Sequence, residues 1–260
     1  EDYITIADSN SLTFGDSTND EPFSVEFWAY PTQTFTRDVI GKEYASGTNG
    51  EWKIHMLAST GVNFFLIDAT ASANRGRASA HPLGINEWWH IAATYDGRGA
   101  SGVDPLPGMH IYVNGVLSDG DTSSNNVYVA MDDTSQPVTI GARKISGGYD
   151  RFFEGKLDEI KVYDVELTAE EIGQHYLAGL KGGLILNNTQ TAKNETWNAT
   201  ITLHDSDFGK SYPINFSFDI GNVRPTLTSI LGGGKEAEPL SDSLVGYWDM
   251  DDRNGTYVYD

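Results

Sequence analysis

Cysteine is absent, which excludes disulfides, thiol nucleophiles and cysteine-ligated metals at the outset. A chain of 260 residues does not need such staples, because it can close a large β-core and still carry a smaller module. Basic residues are scarce: 17 Lys and Arg stand against 37 Asp and Glu, for a formal charge of -20. That field repels nucleic-acid backbones and anionic lipid surfaces, so neither is expected as a partner. No run of eighteen apolar residues occurs, and membrane insertion is not expected. The opening Glu1-Asp2-Tyr3 has neither an initiator Met nor a signal-peptide pattern and reads as a mature or excised piece. Catalytic signatures are missing too. There is no nucleophile elbow, no P-loop and no His-Glu-x-x-His, and the six histidines are scattered singly. His90, behind two tryptophans, reads as a packed strand residue.

What is present is β-pattern. Phe23 to Tyr30 alternates and stops at Pro31, Glu51 to Leu57 and Val62 to Asp68 flank a Ser59-Thr60-Gly61 turn, and Trp88 to Tyr95 is a further strand. His110 to Val113, Asn114-Gly115 and Val116-Leu117 predict a hairpin, because Asn-Gly supplies the positive φ angles of a type I′ turn. Asp96 to Gly108 is a Gly/Pro-rich loop. One helix is predicted: Thr168-Ala169-Glu170-Glu171 is a capping box, Leu167 and Ile172 form its staple, and Gly179 is placed to end it. Many short strands, one terminal helix and no βαβ alternation predict an all-β chain built as a two-sheet sandwich.

Past residue 180 the texture changes. Leu184 to Asn187, Thr196 to Leu203 and Ile214 to Ile220 are candidate strands of a small β module over 180–231, and Gly232 to Pro239 lies in a polar linker over 232–243. Five Asn-x-Ser/Thr sequons, at Asn187, Asn194, Asn198, Asn215 and Asn254, fall in this half, while none of the nine earlier asparagines has the right follower. The expectation is an extracellular, glycosylated surface.

Four segments occur in order: Phe23-Ser24-Val25-Glu26-Phe27-Trp28-Ala29-Tyr30-Pro31, Glu87-Trp88-Trp89-His90-Ile91-Ala92-Ala93-Thr94-Tyr95-Asp96-Gly97, Ile111-Tyr112-Val113-Asn114-Gly115, and Phe153 to Tyr163 with Leu167 to Ile172. Together they resemble the successive signatures of the laminin G-like, concanavalin A-like jelly roll, which implies two antiparallel sheets over 1–179. Leu244-Val245-Gly246-Tyr247-Trp248 and the rest of 244–260 resemble that family's first strand, which implies that the domain at 1–179 lacks it. The stretch from Asn194 to Gly209 resembles immunoglobulin-like repeats of microbial surface proteins.

Glucanase relatives of this fold carry carboxylates in a Glu-x-Asp-x-x-Glu run, and no such run occurs here, so a non-enzymatic role is expected. Asp158 in Asp158-Glu159-Ile160-Lys161-Val162-Tyr163 fits the family's calcium pattern. The resemblance therefore implies a structural calcium held by Asp158 with partners among Asp249, Asp251 and Asp260. Sugar-binding relatives use aromatic and polar side chains on a sheet or its rim, for which Trp52, His55, Arg75, Arg77 and Tyr149 are the candidates.

The leading functional expectation is an extracellular structural or adhesive surface protein. It would be a repeat or filament subunit joined head to tail with other copies through residues 244–260, by β-strand complementation. The alternatives are a lectin-like adhesin that binds surface glycans and an accessory domain of a polysaccharide hydrolase. Residues 244–260 are the first strand of the chain's own jelly roll, of the next subunit or of the next repeat.

Overall fold

The computed structural model describes residues 2–33, 36–44, 49–57, 61–181, 196–204, 211–219 and 244–248. Its strands, in chain order, are β1 (Ile4–Ile6), β2 (Phe23–Pro31), β3 (Arg37–Tyr44), β4 (Asn49–Leu57), β5 (Gly61–Asp68), β6 (Ala73–Ser79), β7 (Trp89–Tyr95), β8 (Met109–Val113) and β9 (Val116–Leu117). There follow β10 (Asp119–Asn125), β11 (Val138–Ile140), β12 (Arg143–Ile145), β13 (Gly148–Asp150) and β14 (Gly155–Tyr163), then the helix α1 (Ala169–Lys181), then β15 (Thr196–His204), β16 (Ser211–Asp219) and β17 (Leu244–Trp248).

The larger sheet runs β1-β11-β3-β4-β5-β6-β10, with β12 and β13 attached at β3, and the smaller runs β17-β14-β2-β7-β8-β9. Packed face to face, they form the jelly-roll sandwich. Phe23 of the smaller sheet joins the two layers. Its ring lies 4.3 Å from Phe14, 5.6 Å from both Trp52 and Phe64 of the larger sheet, and 6.1 Å from Tyr95. Each such ring buries roughly 150–250 Å² of surface, which makes this stack the largest apolar contribution to the core.

Local chemistry matches the sequence pattern at two points. Asn114 and Gly115 have φ of 51° and 76°, as a two-residue type I′ hairpin between β8 and β9 requires. At α1 the Thr168 hydroxyl accepts from Glu171 N–H at 3.2 Å, while the Glu171 carboxylate accepts from Thr168 N–H at 2.9 Å. Leu167 and Ile172 pack with Ala92, Tyr112 and Tyr163 on the outer side of the smaller sheet. Gly179 does not end the helix, which continues to Lys181. One glycine costs a helix about 1 kcal/mol, too little to impose a stop.

The chain divides into two units, 1–173 with 242–260, and 174–241. In the first, β17 pairs antiparallel with β14 of the same chain, with Ile160 opposite Trp248 and Val162 opposite Gly246. In the second, β15 and β16 form a two-stranded sheet that places Thr200 opposite Asn215 and Asn198 opposite Ser217. The strand expected at 184–187, the Ser59-Thr60 turn and sequons Asn187, Asn194 and Asn254 lie outside the described residues.

A buried carboxylate ties the loops at one end of the sandwich. Asp20 Oδ2 accepts from the hydroxyls of Tyr95 and Tyr128, each at 2.7 Å, and Oδ1 accepts from Met131 N–H at 2.7 Å. Residue 99 must be glycine for this approach, because a Cβ there would sit 1.9 Å from Asp20 Oδ2. Burial pushes Asp20 up to about 6, against the lowering pull of the two tyrosines. With the folded value above the unfolded one, this group's contribution is present at acid pH and is lost as pH rises through about 6. The stability gap between wild type and Asp20→Asn, read by urea unfolding, is expected to move in favour of the variant between about pH 4 and pH 7. A gap that stays constant with pH contradicts this assignment.

Candidate functional site

Period-two alternation on β3, β4 and β5 sorts side chains to opposite faces. Trp52, Ile54, Met56, Val62, Phe64 and Leu66 point into the core. The residues between them look the other way, in two rows across the strands. Asp38 stands opposite His55 and His55 opposite Asn63, while Gly41 stands opposite Lys53, Lys53 opposite Phe65 and Phe65 opposite Gly76. The glycine at 76 lets the Phe65 ring lie across β6, since a Cβ there would come within 2.4 Å of that ring. Glu43 joins the group from the end of β3, where Lys53 donates to its Oε2 at 2.8 Å. β12 and the residues after β13 border this face. Asp38 N–H donates to the Arg151 carbonyl, the Arg151 guanidinium lies 3.8 Å from the Asp38 carboxylate, and Arg143 holds Asp150 in two hydrogen bonds of 2.9 and 2.7 Å.

Although they turn away from the core, these polar groups are buried: Glu43 is 2%, Asp38 3%, Lys53 7% and His55 8% exposed. Among the described residues, four of their atoms, Asp38 Oδ1 and Oδ2, Glu43 Oε1 and His55 Nδ1, accept no N–H or hydroxyl hydrogen bond, although the Asp38 and Glu43 carboxyl groups are close enough to share a proton when Asp38 is protonated. An unpartnered buried polar atom costs about 1–3 kcal/mol, so native structures keep few of them, and each calls for a partner such as a water, an ion or a ligand. Burial, and after it the Lys53 charge, drives His55 down to about 3, leaving a neutral imidazole that can donate or accept. Burial first, then the neighbouring Glu43 carboxylate, raises Asp38 well above the usual carboxylate range, with Lys53 and Arg151 pulling the other way. Phe65 is half-buried, with His55 5.3 Å from its centroid and the Lys53 ammonium at 5.5 Å.

Of the sugar-binding candidates read from sequence, His55 alone belongs to this group. Trp52 is a correction: it is fully buried, with its indole N–H bonded to the Leu12 carbonyl at 3.2 Å, so no sugar can stack on it. Arg75 and Arg77 are corrected as well, because they stand opposite Leu66 and Phe64 and so leave β6 on the core side. Arg77 donates to the Leu106 carbonyl at 2.8 Å, and Arg75 to that of Asn126 at 3.1 Å over the Tyr128 ring. Both hold loops. Tyr149 lies in a separate stack at β1 and β13, 4.0 Å from the Tyr3 ring and 3.1 Å from the Thr5 hydroxyl.

Asp158 is the one member of the expected calcium set among the described residues; Asp249, Asp251 and Asp260 lie outside them. Its Oδ1 accepts from Glu159 N–H at 2.9 Å, and no described group of three or more His, Asp or Glu side chains is arranged to hold a metal. Sequence reasoning missed Asp38, Glu43 and Lys53. A bulge in β3 at Val39, between Asp38 and Ile40, brings carboxylates five positions apart to one side, which simple alternation forbids.

Residues 1–173 match the family model of the concanavalin A-like lectin/glucanases superfamily, laminin G type, and the chain belongs to that superfamily. No curated protein matches the sequence. Among solved structures the chain is similar to the native heptameric SAP-like pentraxin of Limulus polyphemus, with 19% identity over 66% of this chain and 79% of that one, at a TM-score of 0.42. It is similar to a putative carbohydrate binding protein of Bacteroides ovatus, with 19% identity, TM-score 0.45, and cover of 67% of this chain but only 44% of the other. It is also similar to the Ruminococcus gnavus IT-sialidase CBM40 bound to alpha2,3 sialyllactose, with 14% identity over 68% and 96% of the two chains and a TM-score of 0.45.

The Lys53–Glu43 pair makes the polar face costly to disturb from one side. Lys53→Met is expected to destabilise by about 3–5 kcal/mol, because it leaves a buried unpaired carboxylate. The double variant Lys53→Met/Glu43→Leu is expected to recover most of that loss in urea unfolding. A double variant less stable than the single one contradicts the pairing.

Proposed function

We propose that this chain is a non-enzymatic, lectin-like module that binds carbohydrate on the outward face of its larger sheet, at Asp38, Glu43, His55 and Phe65. The observation that carries the reading is the set of polar atoms of Asp38, Glu43 and His55 that accept no N–H or hydroxyl hydrogen bond among the described residues, beside a half-buried ring. Sugar hydroxyls donate to carboxylate oxygens and exchange hydrogen bonds with a neutral imidazole, while the C–H face of the ring lies on an aromatic. Membership of a lectin-containing superfamily supports it. The sequons, two of them on β15 and β16, support a place outside the cell.

A panel of neutral and acidic polysaccharides screened on the folded chain is expected to yield a ligand whose affinity, by titration calorimetry, falls at least about tenfold in both His55→Ala and Phe65→Ala, or about 1.4 kcal/mol each. Trp88→Ala, at an exposed ring just before β7 of the smaller sheet, is expected to bind as wild type does. Binding that survives both substitutions, or no binding to any polysaccharide, contradicts the reading.

A second reading, head-to-tail assembly by strand exchange, is favoured by one observation. β17 is an edge strand drawn from a distant part of the chain, and the same β14 edge in a second copy offers the identical hydrogen bonds. Sedimentation is expected to show oligomers that grow with concentration in wild type and disappear in Gly246→Pro, which removes a ladder N–H. A monomer at every concentration rules the assembly out.

A further inference from the structure

On the opposite side of β3 from Glu43 and Asp38 lies a second group of charges that the binding face does not use. Lys42 stands opposite Trp52 on β4, and its side chain has no solvent-exposed surface. Its Nζ donates to Asp8 Oδ1 at 2.8 Å, to Glu51 Oε1 at 2.8 Å and to the Thr13 hydroxyl. The Glu51 side chain is likewise fully buried. Its Oε1 also accepts from the Thr134 N–H and hydroxyl at 2.8 and 2.9 Å, while its Oε2 has no hydrogen-bond partner among the described residues. Phe14 and Trp52, 6.2 Å apart, supply the apolar surroundings. Asp8, by contrast, is 38% exposed and comes from the segment after β1, a strand separated from β3 in the sheet by β11.

A buried amine, a carboxyl group in contact with it and a second, buried carboxyl group that touches the same nitrogen are the parts of an amide-forming centre. We propose that Lys42 and Asp8 join in an intramolecular isopeptide bond, formed by the protein itself with Glu51 as the proton-transfer residue.

The reacting forms are the neutral amine and the neutral acid, reached when the ammonium passes a proton to the carboxylate within the ion pair. The neutral Lys42 nitrogen attacks Cγ of the Asp8 acid, the new Nζ–Cγ bond gives a tetrahedral carbon, and the nitrogen, now positive, gives one proton to the Glu51 carboxylate. A proton passes to the departing Asp8 hydroxyl by way of Glu51, the C–O bond breaks, and water leaves through the exposed side of Asp8. Amine plus carboxylic acid become amide plus water. Glu51 ends in its starting state, and no oxidant, reductant or cofactor is consumed. Burial pushes Glu51 up to about 7, which suits a group that takes and returns a proton near neutrality. The product ties the edge strand β1 to the centre of the larger sheet, at the rim where sheets are weakest.

Intact mass spectrometry of the denatured wild-type chain decides the matter. The expected mass is one water below that of the 28.4 kDa sequence, and digestion is expected to give a branched peptide joining Asp8 to Lys42, with no tryptic cut after Lys42. Lys42→Arg and Asp8→Ala are expected at full mass. Glu51→Gln is expected at full mass while its circular dichroism stays that of wild type, and a Glu51→Gln chain that still cross-links removes Glu51 from the reaction. Full mass in wild type overturns the proposal. So does a water loss that maps to a linear peptide, such as one with a cyclised N-terminal glutamate. The wild-type spectrum settles the bond whether or not any variant folds.

Discussion

Phe23 is enclosed by four rings, Phe14, Trp52, Phe64 and Tyr95, and through them the smaller sheet is fixed against the larger. Because Trp52 and Phe64 must face Phe23, the pleat turns Lys53 and Phe65 the other way. A slip of one residue in β4 or β5 would expose the stack and bury the polar row in its place, so the outward face is specified by the core beneath it. The outward face is in this sense a by-product of packing. What packing does not explain is why that outward row is itself shielded from water while four of its polar atoms accept no N–H or hydroxyl hydrogen bond among the described residues.

The sandwich was legible in the sequence because its strongest signals are local. The alternation of Phe23 to Tyr30, the Asn114-Gly115 turn and the Thr168 to Glu171 capping box each depend on neighbours a few residues away, and each stands where the pattern puts it. The site was much less legible. Asp38 and Glu43 share a side only through a bulge in β3, which leaves no mark in the spacing of charges. Trp52 and His55 look alike as surface candidates until the register places one inside and the other outside. Arg75 and Arg77 seem free in sequence because the carbonyls they hold, at Asn126 and Leu106, are far along the chain.

Distance along the chain also governs the other edge of the molecule. β14 is paired on one side by β2 and on the other by β17, a strand that follows the whole of the unit 174–241. At the opposite sheet, β1 is an edge strand whose neighbouring loop brings Asp8 onto Lys42. Both edges thus rest on contacts between remote segments, one through a ladder and one through a buried charge.

The central claim is that a carbohydrate binds on the outward face of the larger sheet. Amide hydrogen exchange of the folded chain, with and without a polysaccharide that it binds, locates the contact directly. The account predicts slowed exchange at residues 38–43, 53–55 and 63–65, with the rest of the sandwich unchanged. Protection confined to the loop 96–108, or to the strands of the smaller sheet, would contradict it.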